Sequence, residues 1–579
     1  MYLTKTSGNL NPRGEQPQSN LQISTVRSFE GGLNVTDTDL NMSPKYAKVL
    51  DNFERGTDGS QALRPGTVMV TNQIADTTDI VNHVYFAGFI WTVQTSGNIC
   101  TVDGAGNVTV KHRFPGDAVP WPAGVTTVDF TIFNSDLIIV NGRDKPLIVS
   151  GKRHRVDGSV NPNYLVVQYL ADYTGSNINT PIGKYVIAHG RYTVIAGVSH
   201  EPNDPAKAIN DGIIYISSVD TSGTWLGDPA PNDAIRLDLG PRVSIGSATI
   251  TGMVAYRDKL LVTFERGVLP LNLGVYDGSS PAKHTPTDDG FVEEFGCLSH
   301  RSLVSVGDDT FFNDNVGVNS ISRINVFNTL RPVRISHLID PLITDMLQAL
   351  TTQQIATHVF AVYDIRNFRY MLFIPRYEGG VIAETICFSY TNIPTLKVQA
   401  WARLRGWVWQ SACRTALQNI IYSRGNKLYA YNFDSEVGTD RYMDPAVNAG
   451  KGEKIRFEWE LPWADFKHRM DIKYIKYIAF DTQGSASFTI EAYVDNIVTY
   501  RGSRVPMLSM EFVGSDAGGY GNDLYGDSPY GGGRRTRDER TFGYNTKFKL
   551  LKLRIVGETD RQLRIISISI AYLRGGIRR

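Results

Sequence analysis

Four carboxylates lie within seven residues of the segment HTPTDDGFVEEFG (284–296), and they are the most enzyme-like group in this sequence. The group consists of Asp288, Asp289, Glu293 and Glu294, with His284 just upstream. Carboxyl pairs about 5 to 10 Å apart hydrolyse glycosidic bonds, one protonating the leaving oxygen while the other acts as base or nucleophile. Acids in a loop that enters a strand are more often part of the surface, and the surface interpretation is favoured.

Three other segments have compositions suited to ions. GGYGNDLYG (518–526) fits the calcium-binding nonapeptide, with Asp523 as the ligand, but in that repeat each calcium ion is shared by successive turns, so one copy favours a plain glycine loop. The basic runs GKRHR (151–155) and GGRRTRDER (532–540) could pair with phosphate. Because the first is short and the second contains acids, solvated loops or subunit contacts are favoured.

Signatures of cofactor, metal and nucleophile chemistry are missing from the sequence. It contains no P-loop, no H-E-x-x-H and no G-x-S-x-G motif. Its four cysteines are far apart, with no C-x-x-C spacing, and they are Cys100, Cys297, Cys387 and Cys413. We therefore predict no cofactor, no metal, no catalytic residues and buried free thiols, which suit folding in a reducing cytoplasm. Trp401, Trp407 and Trp409 could stack on a sugar, but core or interface positions are favoured.

Composition excludes two broad classes of protein. Of 579 residues, 59 are Lys or Arg and 58 are Asp or Glu, so the net charge of +1 lacks the basic excess that a stable grip on nucleic acid requires. No segment approaches the roughly 18 uncharged apolar residues of a membrane span. The 54 glycines, 28 tyrosines and 25 phenylalanines favour short strands joined by tight turns.

The elements that would position any site are repeated strand pairs with alternating apolar residues. Seven units share the pattern strand, tight turn, strand, and they cover 81–102, 125–142, 183–198, 250–267, 303–322, 360–376 and 419–433. Their starts lie 44 to 67 residues apart, slightly more than the ~40 to 50 residues of a propeller blade. The fold class is therefore predicted to be all-β, a β-propeller of irregular blades with very little helix. An array of β-sandwiches is the alternative architecture.

The chain divides into four predicted regions. An extended N-terminal arm covers 1–28, the propeller domain 29–434, a linker 435–452, and a C-terminal β-sandwich-like domain 453–579. The last contains a glycine- and tyrosine-rich loop at 514–540, too rich in glycine to pack a core. The best helix candidate is 336–350, interrupted by Pro341.

A short anchor helix is predicted near 44–50. Pro44 suits the first turn, and apolar residues at helical spacing, which include Leu50 and Phe53, would present one buried face. Gly31 and Gly32 permit the turn before it, and Pro65 and Gly66 shape the turn after it. We expect this segment to pin the arm to the propeller. A polar arm that is ordered implies a neighbouring subunit or partner protein that holds it.

The same stretch resembles the N-terminal motif of tail nozzle proteins of short-tailed bacteriophages, also called tail tubular protein B. The matching features are GGLN (31–34), which includes Leu33, then LDNFE (50–54), and the residues Gly59, Ser60, Arg64, Pro65 and Gly66. The likeness continues through 295–322, 407–432 and 460–484, so it touches most of the chain.

This resemblance implies a structural virion protein without enzymatic activity. Such a subunit would form a homo-oligomeric ring, a hexamer, below the tail adaptor, close the tail tube, carry fibres or spikes, and let viral DNA pass at ejection. It would be assembled in the host cytoplasm and reside in the tail of the virion. We expect its lumen to be acidic or neutral, since a basic lumen would retain DNA. The alternative is a tail-associated propeller enzyme that degrades polysaccharide and uses the acids of 288–294.

Overall fold

A computed structural model provides the fold of most of the chain. It describes residues 21–26, 29–39, 41–56, 59–71, 78–112, 121, 123–155, 157–170, 180–198, 200–202, 204–209, 211–221, 224–225, 234–274, 286–324, 329–393, 398–431, 443–444, 453–467, 471–484, 486–495, 508–512, 535–541, 547–559 and 563–575. All structural statements below concern these residues.

Strands dominate the described residues. The first seven are β1 (Leu21–Val26), β2 (Gly32–Leu33), β3 (Tyr46–Ala47), β4 (Val49–Asp51), β5 (Phe53–Arg55), β6 (Gln61–Leu63) and β7 (Thr67–Met69). The next fourteen are β8 (Ile80–Phe86), β9 (Phe89–Gln94), β10 (Ile99–Val102), β11 (Val108–His112), β12 (Asp129–Phe133), β13 (Asp136–Val140), β14 (Leu147–Ser150), β15 (Val167–Tyr169), β16 (Tyr185–His189), β17 (Tyr192–Ala196), β18 (His200–Glu201), β19 (Asp204–Ala208), β20 (Ile213–Ile216) and β21 (Ile235–Asp238).

The middle of the chain continues the series and adds the helices. Its strands are β22 (Ile250–Tyr256), β23 (Lys259–Phe264), β24 (Gly267–Asn272), β25 (Thr287–Asp288), β26 (Val292–Glu293), β27 (Val304–Val306), β28 (Asp309–Asn313), β29 (Val318–Ile324), β30 (Thr329–Arg334), β31 (Phe360–Asp364), β32 (Arg369–Glu378), β33 (Val381–Ile393), β34 (Val398–Trp407), β35 (Ser411–Arg414), β36 (Ile420–Arg424) and β37 (Lys427–Tyr431). The helices are the 3₁₀ turns η1 (Gly240–Arg242) and η2 (His300–Ser302), then α1 (Asp340–Gln348) and α2 (Thr352–His358).

The C-terminal region is again all strand. It comprises β38 (Met443–Asp444), β39 (Glu453–Glu460), β40 (Lys473–Gln483), β41 (Phe488–Asp495), β42 (Leu508–Phe512), β43 (Arg535–Thr541), β44 (Lys547–Phe548), β45 (Leu550–Thr559) and β46 (Arg564–Arg574).

The chain forms two compact units. One, here called the propeller unit, is Met69–Cys387 with Trp407–Ala430. The other, the sandwich unit, is Met1–Val68, Phe388–Gly406 and Tyr431–Arg579. The predicted boundaries of 29–434 for the propeller domain were therefore wrong, because the segments before Met69 and around 388–406 belong to the second unit.

The propeller unit is a β-propeller of seven small antiparallel sheets, numbered here as blades one to seven along the chain. The blades are β8–β11, β12–β15, β16 with β17, β20 and β21, β22–β25 with β26, β27–β30, β31 and β32 with β33 as far as Cys387, and β35–β37 with β7. The rest of β33 and nearly all of β34 belong to the sandwich unit. The first strand of each blade contacts the first strand of the next, in the order β12, β16, β22, β27, β31, β35, β8. Asn82 of β8 then donates to the carbonyl oxygen of Val128 beside β12, at 2.9 Å, so the seven inner strands surround one axis.

The local sequence explains why hairpins recur in this unit. Strands such as β13 are buried on both faces and read as continuous apolar runs, DLIIV. The turn between β12 and β13 has Asn134 and Ser135 at φ of 49° and 66°, the conformation of the tight turn that matches strand twist. The all-β propeller prediction is confirmed, with one adjustment: the seventh repeat begins at its second strand, because β35 precedes it.

Two helices precede blade six within the described part of the chain. The helix predicted in 336–350 begins at Asp340, so Pro341 lies in the first turn, where its missing N–H costs no hydrogen bond, and does not interrupt the helix. A second helix, α2, was not predicted; Thr351 and Gln354 form its capping box. None of the described helices has the length and apolar character needed to cross a membrane.

The sandwich unit contains two sheets whose aromatic residues interleave. One sheet has the order β43, β40, β46, β6, β5, with β1 on β46, and the other includes β4, β39, β45, β41 and β42. The ring of Phe480 on the first sheet lies 5.1 Å from that of Phe512 on the second. The predicted C-terminal sandwich is thus confirmed, and N-terminal strands complete both of its sheets.

The predicted anchor helix near 44–50 was wrong. These residues form β3 and β4: Gly32 and Leu33 pair with Tyr46 and Ala47, while β4 pairs with Glu458–Glu460. The apolar spacing fitted a helix, but distant strands supply backbone partners, and tertiary pairing overrides a weak local preference. Of these residues, Ala47 and Leu50 are buried, in the sandwich unit.

Three other regional predictions are altered. Of the arm 1–28, residues 21–26 form β1, which pairs with β46 of the same chain, so no neighbouring subunit is needed there. The predicted loop 514–540 extends too far, because residues 535–541 form β43, which pairs with β40. Residues 513–534, which contain the nonapeptide, lie outside the described residues. Within the linker 435–452, Met443–Asp444 pairs with β39, and the rest lies outside the described residues.

Candidate functional site

The polar centre of the propeller unit is the turn Ser299–Ser302, here called the axial hub. It precedes β27 of blade five and includes the 3₁₀ turn η2. Ser299 Oγ donates to the carbonyl oxygen of Val359 at 2.6 Å, and Ser302 Oγ donates back to the Ser299 carbonyl at 2.7 Å. These bonds hold the turn rigidly, so the two side chains between them point in defined directions.

His300 connects the axial hub to blades two, three and four. Its Nε2 lies 3.0 Å from Asp129 Oδ2, and its ring centroid lies 4.8 Å from that of Tyr185. The backbone N–H of Met253 donates to Nδ1 at 3.2 Å. Since an N–H can only donate, Nδ1 carries no proton, and the neutral ring donates through Nε2 to the Asp129 carboxylate.

Arg301 connects the axial hub to blades six and seven. Its Nη1 donates to the Thr357 carbonyl at 2.8 Å and its Nη2 to the Gln410 carbonyl at 2.9 Å. The guanidinium also lies over the ring of Phe360, 5.2 Å from the centroid. Burial lowers the pKa of Arg301 to about 10, although the charge of Asp129 acts in the opposite direction.

The axial hub therefore lies across the axis of the propeller. A turn of blade five that contacts blades two, three and four on one side and six and seven on the other must cross the middle of the ring. Gly252 of blade four leaves room for it, because a Cβ there would lie 2.7 Å from a methyl group of Leu303 and 3.0 Å from His300. At this level the centre of the unit is filled by protein.

A catalytic interpretation of the Asp129–His300 pair fails on geometry. Both ring nitrogens are engaged, Nε2 with the carboxylate and Nδ1 with a backbone N–H, so neither can take a proton from a nucleophile. The second carboxylate oxygen of Asp129 accepts the backbone N–H of Phe130, and Oδ2 also accepts that of Val186. The arrangement joins blades and leaves no group free for acid or base catalysis.

His83 closes the ring between blades one and seven. Its Nε2 lies 3.0 Å from the Ile421 carbonyl, which can only accept, so Nε2 carries the proton and Nδ1 accepts from Ser411 Oγ at 2.7 Å. Ser423 Oγ lies 2.6 Å from Ser411 Oγ and completes the chain of hydroxyl groups. Burial lowers the pKa of His83 to about 4, with the charge of Arg301 acting in the same direction.

The predicted acidic cluster does not converge on a site. Asp288 pairs with Arg242, Asp289 pairs with Lys259, and Glu293 Oε1 accepts from Ser244 Oγ at 2.6 Å. Glu294 lies in the turn after β26, with φ of 74°. All four residues are exposed, in or next to the outermost strands β25 and β26 of blade four. His284 lies outside the described residues.

The predicted anchor residues form a framework inside the sandwich unit. Leu33, Leu50, Phe53 and Arg64 are all buried. The ring of Phe53 packs against those of Phe457 and Trp459, at centroid distances of 5.4 and 5.7 Å. Pro65 is half-buried and Gly66 is buried. These residues hold the N-terminal segment to strands that lie some 400 positions later in the chain.

Asn52 is the polar centre of this framework. Its Oδ1 accepts from Arg64 Nε at 2.9 Å and from the Arg405 N–H at 2.7 Å, and its Nδ2 donates to the Arg456 carbonyl at 2.6 Å. Arg64 Nη2 donates to the Arg405 carbonyl at 3.0 Å. Next to it, the Arg403 guanidinium forms a bidentate pair with Asp51, at 2.5 and 2.8 Å.

Neighbouring atoms approach the two glycines of GGLN so closely that neither position has room for a Cβ atom. Gly32 has φ of 67° and pairs with Trp401; a Cβ there would lie 2.5 Å from the Trp401 carbonyl oxygen. A Cβ on Gly31 would lie 2.3 Å from the ring of Tyr46. Both positions therefore need glycine for packing rather than for ligand contact.

The remaining sequence candidates are structural wherever they are described. Trp401, Trp407 and Trp409 are buried, as predicted. The cysteines are free thiols, three of them buried and Cys413 half-buried. In the run 151–155, Lys152 pairs with Asp136 and Arg153 stacks on Tyr164. Among the described residues no group of three or more His, Cys, Asp or Glu side chains is arranged to hold a metal ion.

Sequence reasoning missed the residues of the axial hub and Asn52. Asp129 and the pair His300 and Arg301 come from blades far apart in sequence. His300 and Arg301 lie in 295–322, a segment that was noted only for its family resemblance. The sequence feature that could have indicated the hub is the polar stretch Ser299–Ser302, directly before the apolar strand β27. In a propeller, the residues before the first strand of a blade lie near the axis.

Comparison with known proteins gives similarity to solved structures only. No protein-family model matches the chain, and no curated protein matches it. A streptogramin B lyase structure matches at 9% identity and TM-score 0.35, covering 63% of this chain and 97% of that one. Structures titled "YCF48 bound to D1 peptide" and "Crystal structure of RRP9 WD40 repeats" match at 11% and 7% identity, with TM-scores of 0.32 and 0.34. They cover 64% of this chain and 96% and 98% of their own. At these scores the matches carry no functional argument, and the propeller assignment rests on the seven sheets described above.

Proposed function

We propose that this chain is a structural virion protein, the tail nozzle subunit of a short-tailed bacteriophage. In this role it forms a homo-oligomeric ring, a hexamer, that closes the tail tube below the adaptor, carries fibres or spikes and passes DNA at ejection. The observation that carries the proposal is the placement of the motif residues that suggested the family. Gly32, Leu50, Phe53 and Arg64 are buried parts of one framework, which suits a motif whose residues serve the architecture of the subunit.

The route for DNA in this proposal lies between subunits. The axial hub fills the centre of the single propeller, so a conduit requires a lumen formed by several copies. The net charge of +1 allows acids or neutral groups to face that lumen, which limits retention of DNA by counterion release. The virion tail is the corresponding location, after assembly in the host cytoplasm.

The proposal includes the absence of enzymatic activity. Asp288, Asp289 and Glu293 bind separate partners. Both ring nitrogens of His300 are engaged, one with Asp129 and one with a backbone N–H. Replacing Glu293 by Gln therefore removes one exposed contact to Ser244 and abolishes no catalytic step. A polysaccharide-degrading enzyme that used this acid would instead lose sugar release.

The experiment is a mass measurement followed by imaging. Purified full-length protein is examined by light scattering over a range of concentrations, alone and with the tail adaptor, and then by electron microscopy. We expect a species several times the chain mass of 64.3 kDa and ring-shaped particles with a central opening. A monomer under all conditions, with release of reducing sugar from host polysaccharide that Glu293→Gln abolishes, would refute the proposal.

A further inference from the structure

Two neighbouring turns of the propeller unit expose apolar side chains to solvent. The turn between β31 and β32 exposes Ile365 by 44% and Phe368 by 45%, and the turn between β35 and β36 exposes Leu417 by 74%. The Arg366 guanidinium donates to the Leu417 carbonyl and so ties the two turns together. Ile365, Arg366, Phe368, Arg414 and Leu417 are here called the turn patch.

Two residues in or next to the turn patch have positive φ. Phe368 has φ of 53° and the neighbouring Gln418 has φ of 62°, in the left-handed region where a bulky side chain is an outlier. Neither residue gains burial in return, since both are exposed. Other hairpin turns of the chain, at Ala87 and Arg257, use the same conformation, and the turn patch differs in that its exposed apolar side chains lie together, as they do at interaction surfaces.

The turn patch is positive as well as apolar. Arg366 and Arg414 are exposed, whereas the carboxylate of Asp364 is buried. The Asp364 carboxylate accepts hydrogen bonds from the backbone N–H groups of Arg366 and Asn367 and from the side-chain amide of Asn367, at 2.7 to 3.4 Å. Its negative charge is therefore bound within the turn and does not face the solvent. The surface that fits this patch presents carboxylates around an apolar strip.

The outer edge of blade four, residues 287–294, has that composition. Its four exposed carboxylates lie beside Val292, which is half-buried, and Phe291, whose ring packs on that of Phe264 at a centroid distance of 5.8 Å. Arg242 and Lys259 offset two of the charges, and the other two carboxylates face no cation in the described contacts. Short strands β25 and β26 hold the segment on β24, so it is a fixed surface.

We propose that the turn patch of one copy binds the outer edge 287–294 of a second copy. This inference rests on the ring assembly of the proposed function and names the surfaces that build it. The two surfaces lie on different blades, so the contact is head to tail, and repetition of such a contact closes a ring or extends a filament. Opposite charges steer the copies together, and the exposed apolar side chains then provide the stabilising burial.

The first test uses sedimentation of the full chain with paired variants. Leu417→Asp is expected to weaken self-association about tenfold or more, while Val160→Asp, at a position that is also 74% exposed, leaves it unchanged. Phe368→Gly relieves the positive φ, so the melting temperature is expected to be equal or higher while self-association weakens. This variant therefore distinguishes a loss of self-association from a loss of folding stability.

The second test exchanges the charges. Arg366→Glu with Arg414→Glu in one protein, and Glu293→Lys with Glu294→Lys in another, should each abolish assembly. A mixture of the two should restore it, because every contact in an alternating ring then joins opposite charges. A wild-type ring whose association none of these variants alters would overturn this inference and leave the nozzle proposal standing. A wild-type protein that stays monomeric, with and without the adaptor, would overturn both.

Discussion

The stability of the propeller unit should depend on pH through His83, the residue that joins blade one to blade seven. Its neutral ring is held between the Ile421 carbonyl and the Ser411 hydroxyl, and burial lowers its pKa from 6.5 to about 4. As the pH falls, the unfolded chain takes up the proton before the folded chain does. The contribution is therefore complete above about pH 6.5 and is lost progressively as the pH falls toward 4.

The magnitude follows from the pKa difference. Each pH unit in which only the unfolded chain is protonated lowers the free energy of unfolding by about 1.4 kcal/mol. Between about pH 7.5 and about pH 4.5, His83 should therefore remove about 2.5 kcal/mol. His83→Gln loses this pH-dependent part, although it also loses part of the hydrogen bonding at every pH.

The assay is urea unfolding at both pH values, followed by hydrogen exchange of peptides that cover β8 and β35. Comparing the pH-induced change in each protein cancels the contributions of other titrating groups. The wild type should lose about 2.5 kcal/mol more than His83→Gln, whereas His154→Gln, which alters an exposed histidine, should behave as the wild type does. Equal pH dependence in wild type and His83→Gln would show that the ring of His83 is not held neutral in this seam.

Three further substitutions test the axial hub and the N-terminal framework. Arg301→Lys keeps the charge but cannot bridge two carbonyl oxygens, so urea unfolding should show a loss of about 2 kcal/mol; an unchanged midpoint would mean that the bridge is dispensable. Gly32→Ala adds a clash with a backbone carbonyl to the conformational cost, so its melting temperature should fall well below that of Gly88→Ala, whose site has positive φ but open space around it. Leu50→Asp buries a carboxylate at a position 1% exposed and should destabilise the sandwich unit by several kcal/mol, about 3 or more; an unaltered thermal scan would contradict its burial.

Periodicity within each hairpin was sufficient to predict the propeller. Strands such as β13 and β23 carry their own apolar pattern, and the turns between strands carry Gly or Asn, so both signals lie within a few residues. The segment 44–50 shows the limit of this reasoning. Its apolar spacing suits a helix, yet backbone pairing with β39, some 400 residues later, decides its structure.

The domain division and the axial hub depended on contacts that no local pattern records. Phe53 packs on Phe457, and this contact assigns the N-terminal segment to the sandwich unit rather than to the propeller. Asp129 of blade two and His300 of blade five meet across the propeller axis, although these blades are not neighbours in the ring. The acidic run 288–294, for which the surface interpretation was favoured, lies on an exposed edge, where Asp288 and Asp289 have separate partners.

The most direct test of the central claim is a reconstruction by electron microscopy of the phage particle that carries this chain. The account predicts a ring of copies at the distal end of the tail, each copy with a seven-bladed propeller whose axis is filled, around a lumen formed between subunits. The account would be contradicted if density for the chain were absent from the tail, or if it appeared only as a separate appendage bound to the side of the tube.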